Sequence, residues 1–277
     1  MTGEGKDKPM KKTLLSALAA LTLTFSGAIA AEEGHQEIHD YAFPFEGPFG
    51  RYDTAQLQRG LAIYTQVCAA CHGMELVYFR NLTESTGPAM PADMITELAS
   101  NFYVPDDGLE AQPGDERPAT LADNFPGSAL AGAPDMSLLA KSRAGFHGPY
   151  GTGINQLLNG IGGPEYIASV LTGFTGEEKV EAGITYYENH AFSGGWIAMA
   201  PPITEDGLFF EHADHAPTDL ESAAQDVSAF LMWAAEPKLN QRKAFGLTAV
   251  LFLSLLTVLL YLTNKKLWYN VKHRHED

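Results

Sequence analysis

Cysteine is nearly missing from this chain: two of 277 residues, Cys68 and Cys71. A scaffold built on disulfides is therefore excluded. Positive charge is also scarce, with 18 Lys+Arg against 34 Asp+Glu and a formal net charge of −16. From Ala31 to Glu236 the imbalance steepens to 30 acidic residues against seven basic ones, Arg51, Arg59, Arg80, Arg117, Lys141, Arg143 and Lys179. Such a surface has no cationic face to displace counterions from phosphates, so nucleic-acid binding is excluded. No G-x-G-x-x-G, G-x-S-x-G or H-E-x-x-H pattern occurs, which removes the familiar dinucleotide, serine-hydrolase and zinc-protease signatures. What is present is a 45% apolar composition, enough for a packed core.

Long apolar runs are confined to two places. The first follows Lys11-Lys12, extends from Leu14 to Ile29 and ends in Ala28-Ile29-Ala30-Ala31. A basic start, a short apolar stretch diluted by Thr22, Thr24, Ser26 and Gly27, and an A-x-A ending predict a secretory signal peptide over residues 1–30, cleaved near Ala30 or Ala31, with translation starting at Met10. The second run, 244–264, has no charged residue in 21 positions. At about 1.5 Å per residue it spans roughly 32 Å, matching the bilayer core, and predicts a transmembrane helix. Lys265, Lys266, Lys272 and Arg274 follow it, against Lys238, Arg242 and Lys243 before it. With an exported N-terminus this places residues 31–240 in the periplasm and 265–277 in the cytoplasm, a single-pass protein of the inner membrane.

The exported part reads as mainly α with long loops. Asp53 or Thr54 caps a helix on which Leu57, Leu61, Tyr64 and Cys68 share one face, and Gly60 allows close approach of a second helix. Thr218-x-x-Glu221 resembles a capping box that opens a second helix with Leu220, Ala224, Val227, Leu231 and Ala234 on one stripe, ended by Glu236-Pro237. One or two shorter helices are expected between Leu157 and Leu171. Residues 104–134, rich in Pro, Gly and Asp, show no period and read as surface loops; strand signals are few.

Chemistry concentrates at Cys68-Ala69-Ala70-Cys71-His72, the C-x-x-C-H spacing of c-type haem attachment. Two thiols three residues apart reach the two vinyl groups, and the adjacent imidazole faces the iron. A disulfide or a thioredoxin-like pair is the alternative; the latter calls for a strand before the motif, where a helix is expected here. The sixth ligand then decides function, because a thioether closes the iron whereas an open site permits peroxidase or sensor chemistry. Met90, Met94, Met136 and Met199 are the free candidates. Met199 is favoured, since Pro201-Pro202 hold its segment extended, and Met90 is the alternative. Arg143 is suited to pair with a haem propionate or else with a surface Asp. Neither His pair reads as a metal site: His35/His39 lies just after the expected cleavage site, and His212/His215 lacks a committed third ligand.

The haem motif, Pro134-Asp135-Met136-Ser137, Gly163-Pro164-Glu165-Tyr166, Met199-Ala200-Pro201-Pro202 and Phe230-Leu231-Met232-Trp233-Ala234-Ala235-Glu236-Pro237 together resemble the cytochrome c1 family, the haem subunits of the cytochrome bc1 (ubiquinol–cytochrome c reductase) complex, in its alphaproteobacterial form. The resemblance runs from Tyr41 to Tyr269. It implies a c-type cytochrome domain with one covalent haem c on Cys68 and Cys71, iron ligands His72 and Met199, and Arg143 and Tyr166 lining the haem. It implies an electron-transfer subunit without substrate chemistry of its own, taking one electron from the Rieske iron–sulfur protein and passing it to a soluble or tethered cytochrome c, beside cytochrome b and membrane lipid in a dimeric complex. Ala133 stands where many members have a second proline, and a Cys pair of some bacterial members is absent, so the haem loop is expected to rest on packing.

Overall fold

The computed structural model describes residues 37–108, 111–143, 160–203 and 219–272. The expected signal peptide, the start of the 157–171 segment and the His212/His215 pair lie outside them, as does His35.

Helix α1, Thr54–Gln66, opens at Asp53, whose carboxylate accepts the Ala55 N–H at 2.9 Å, and it buries Leu57, Gly60, Leu61, Ile63 and Tyr64. Its partner is α5, Leu220–Ala235, which is buried along most of its length. Gly60 sits at their contact. A Cβ there would lie 2.2 Å from the Asp226 carbonyl oxygen, so the close approach depends on glycine. Beside it the Arg59 guanidinium pairs bidentately with Asp226, at 2.6 and 2.9 Å. The cap of α5 is Asp219, whose side chain accepts the Ser222 N–H at 2.7 Å, rather than Thr218: a carboxylate one residue closer reaches the free donor of the first turn.

Between these helices lie the smaller elements. A 3₁₀ turn at Phe79–Thr83 and α2, Ala92–Ser100, are followed by the short hairpin β1, Tyr103–Pro105, and β2, Glu116–Pro118. The 104–134 stretch is thus more ordered than its composition predicts, tied down by Asp123, which takes the Arg117 guanidinium at 2.7 and 2.8 Å. Among the described residues, helix α3, Leu139–Ser142, and α4, Gly163–Thr172, come next, and α4 packs on α5. Strands β3, Phe174–Glu181, β4, Ile184–Asn189, and β5, Trp196–Ile197, form an antiparallel sheet in the order given, with a bulge between Phe174 and Glu178. The aromatic core runs from Phe79 and Phe102 through Phe125 and Tyr64 to Phe230 and Trp233.

Helix α6, Leu239–Lys272, contains the charge-free run and is longer than it. Leu239–Tyr269 is long and apolar enough to cross a membrane, and its large apolar side chains from Phe245 onward are exposed. The helix starts early because its first-turn cations have partners. Arg242 and Lys141 both pair with Glu236, and the Lys243 ammonium donates to the carbonyls of Phe45, Gly47 and Gly50. Burial alone would raise the Glu236 carboxyl, but Arg242 and Lys141 hold it below the usual range. Tyr52 closes the α5–α6 junction by donating to Met232 O and Glu236 O, both at 3.1 Å.

Candidate haem site

The α1 helix stops two residues before the first cysteine. The Val67 N–H is shared between Ile63 O and Tyr64 O, and Cys68–Ala70 then winds as a 3₁₀ turn, with Cys71 N–H and His72 N–H both donating to Cys68 O at 3.1 and 2.9 Å. Cys68 is therefore not on the α1 stripe, as its spacing suggested. The tighter winding brings Cys71 close enough to Cys68 for its charge to act on the Cys68 thiol. Both thiols are free. Burial, with Cys71 adding to it, pushes the Cys68 thiol up to about 12, the reverse of the lowered value a dithiol redox centre needs. Two free thiols followed directly by an imidazole are a donor set that fits thioether attachment of a haem.

His72 follows directly, and its Nδ1 lies 2.8 Å from the Pro134 carbonyl oxygen. A carbonyl can only accept, so Nδ1 carries the proton and the lone pair resides on Nε2, where a metal can take it. The Tyr64 hydroxyl donates to the His72 carbonyl at 3.1 Å, fixing the backbone from the other side; burial raises that phenol well above its ordinary value.

The loop supplying Pro134 is stitched to the haem motif along its length. Met74 N–H donates to Pro126 O, Gly73 N–H to Ser128 Oγ, Leu130 N–H to Cys71 O and Met136 N–H to Gly73 O. Asp135 and Ser137 accept from Glu75 N–H and Leu76 N–H at 2.9 and 3.0 Å. Gly73 permits this: a Cβ would fall 2.3 Å from the Gly127 carbonyl carbon. Tyr64 appeared in the sequence only as a core residue, and Ser128 did not stand out. Asp135-x-Ser137 carried a readable signal, an Asx turn in which Asp135 Oδ1 accepts the Ser137 N–H at 2.8 Å.

The remaining candidates come from separate elements. Arg143 is exposed at the end of α3 and has no salt-bridge partner among the described residues, so the surface-Asp alternative finds no support there. Tyr166 is half-buried in the first turn of α4; burial raises its phenol and the Arg143 charge opposes the rise, which makes the two neighbours. They meet because Gly163 rests on α3, where a Cβ would lie 1.7 Å from Ala140 O. Met199 is half-buried between β5 and the buried Ile203. Met136 is buried on the His72 side of the motif, its N–H on Gly73 O; Met94 is exposed on α2, and Met90 packs against the core with its N–H on Leu82 O.

A family model described as the Cytochrome C1 family matches residues 43–271. The chain is 51% identical over 285 residues to "Cytochrome c1" of Cereibacter sphaeroides, covering 95% of this chain and 97% of that one. It is 44% identical over 282 residues to "Cytochrome c1" of Rhodobacter capsulatus, covering 94% and 97%. A more distant relative is the "Cytochrome b-c1 complex catalytic subunit, mitochondrial" of Candida albicans, 34% identical over 270 residues, covering 91% and 84%. Proteins so named carry haem c, and the turn that presents two free thiols and an oriented imidazole is what that cofactor calls for. The chain belongs to the cytochrome c1 family, the haem subunits of the bc1 complex.

Proposed function

We propose that this chain is the haem-bearing electron carrier of a quinol–cytochrome c reductase, taking one electron from a Rieske iron–sulfur protein and delivering it to a cytochrome c. The observation that carries the reading is the 2.8 Å contact between His72 Nδ1 and Pro134 O, beside two free thiols on one turn. When bound, a single haem c supplies a one-electron couple between ferric and ferrous iron. Cys68 and Cys71 would tether it, and His72 Nε2 and the Met199 thioether would ligate the iron. With both residues as ligands the metal would be shielded from substrate, which suits a protein that carries electrons and performs no bond-making step. Arg143, free of a carboxylate partner among the described residues, would pair with a propionate, and its neighbour Tyr166 would line the haem beside it.

The surroundings complete the reading. Helix α6 anchors the domain beside cytochrome b, the pairing that the name of the Candida relative suggests. The expected signal peptide and the cations after residue 264 support a periplasmic haem domain and a cytoplasmic C-terminus. The acidic domain attracts a basic cytochrome c to the haem edge and speeds encounter without tight binding. The test is to solubilise the protein from its own membrane and identify what accompanies it. Cytochrome b and an iron–sulfur protein, with a c-type band in the reduced-minus-oxidised spectrum, are expected. Recovery with terminal-oxidase subunits and without cytochrome b would replace this assignment with that of a tethered cytochrome serving an oxidase.

A further inference from the structure

Four consecutive residues, Pro134 to Ser137, each engage the stretch from His72 to Leu76. Pro134 O accepts from the His72 ring at 2.8 Å, Asp135 Oδ2 from Glu75 N–H at 2.9 Å, Met136 N–H donates to Gly73 O at 2.8 Å, and Ser137 Oγ accepts from Leu76 N–H at 3.0 Å. Only the first touches the imidazole. A carbonyl oxygen has no orienting power of its own: Pro134 O belongs to the peptide unit that joins Pro134 to Asp135 and turns with it, and Pro134 has no N–H to add a second hold on the preceding side. The position of that oxygen is therefore set by the next residues. Asp135 is the pivot: one carboxylate oxygen holds the haem-motif strand through Glu75 N–H, and the other accepts the Ser137 N–H at 2.8 Å, bending its own chain into the Asx turn that aims Ser137 at Leu76. Ser137 is 1% exposed, so water does not compete for its hydroxyl.

We infer that Asp135 and Ser137 are positioning residues for the iron, acting through Pro134: they lock its carbonyl onto His72 Nδ1 and so set the basicity and tilt of the ring that ligates the metal. This rests on the haem reading above. A firm Nδ1–H···O=C bond makes the opposite nitrogen a stronger donor, which favours the higher oxidation state of the metal. Loosening the clamp weakens that preference and raises the midpoint potential.

The experiment is redox titration of the haem-loaded, full-length protein with Asp135→Ala, Asp135→Asn or Ser137→Ala. Removing a nearby anion also raises a potential through space, so the neutral Ser137→Ala variant and the Asn/Ala comparison separate the two causes. The expected result is an upward shift in Ser137→Ala and in Asp135→Ala, with a smaller shift in Asp135→Asn, whose amide oxygen keeps one acceptor; covalent haem is retained in each. If Asp135→Ala fails to assemble, the other two variants decide. Unchanged potentials would overturn the inference, as would equal shifts in the two Asp135 variants with Ser137→Ala unmoved. A wild-type protein without covalent haem would instead overturn the reading of the site itself.

Discussion

Arg59 and Asp226, 167 positions apart, meet through two N–H···O bonds of 2.6 and 2.9 Å across the α1–α5 contact, and the Asp226 side chain is 4% exposed. The helix that leads to the haem turn is in this way pinned to the helix that leads into the membrane. Removing one partner leaves a desolvated charge unpaired, which is far costlier than the pair is worth. Arg59→Ala is expected to destabilise the domain by about 2–3 kcal/mol, the lower side of the range for buried pairs because Arg59 is partly exposed. The thermal midpoint would fall by roughly 5–10 °C. The double variant Arg59→Met/Asp226→Leu should recover most of the loss; a midpoint equal to that of Arg59→Ala would show that packing, not the stranded carboxylate, carries the cost.

Glu165 is 1% exposed and lies against Glu46, and burial followed by the contact with Glu46 pushes its carboxyl up to about 8. The folded protein thus holds this proton more tightly than the unfolded chain does. Its contribution to stability is complete below the ordinary carboxylate range, about pH 4.5, and is lost as pH rises through about 8. Thermal midpoints measured from pH 6 to pH 9 should fall in the wild type and fall less in Glu165→Gln. Parallel curves for the two proteins would contradict the assignment.

Met199→Leu should leave the haem covalently attached while lowering the midpoint potential and opening the iron to carbon monoxide. Titration of the potential and a carbon monoxide difference spectrum check both effects. An unchanged potential with no carbon monoxide adduct would remove Met199 from the iron and return attention to Met90.

Reduction of a basic cytochrome c by the intact complex should slow as ionic strength rises, because 30 acidic residues against seven basic ones between Ala31 and Glu236 attract it through a screened field. Stopped-flow rates over a salt series check this. A flat profile would assign the acidity to solubility alone.

Much of this was legible in the chain because it is local. The C-x-x-C-H spacing, the Asp53 cap, the α1 and α5 stripes, the close approach at Gly60 and the charge-free run of α6 are each written within a few residues of one another. What was hidden is either long-range or lacks a period. Strand β3 is exposed along most of its length and carries Glu177, Glu178 and Lys179 in succession, so it shows no apolar alternation; its pairing with β4 creates the order. The stop of α1 before Cys68 is marked only by the Val67 N–H shared between Ile63 O and Tyr64 O, a feature with no sequence period. The clamp of residues 134–137 on His72–Leu76 joins segments about 60 positions apart, and no spacing rule within either segment announces it.

The claim on which the rest depends is that Cys68 and Cys71 hold a haem by covalent bonds. Intact mass measurement of the purified protein after acidified-solvent extraction, with peptide mapping across residues 68–72, tests it directly. The expected result is a mass increment of one haem that survives extraction and maps to both cysteines. A polypeptide of bare mass whose two sulfurs are joined to each other would contradict it.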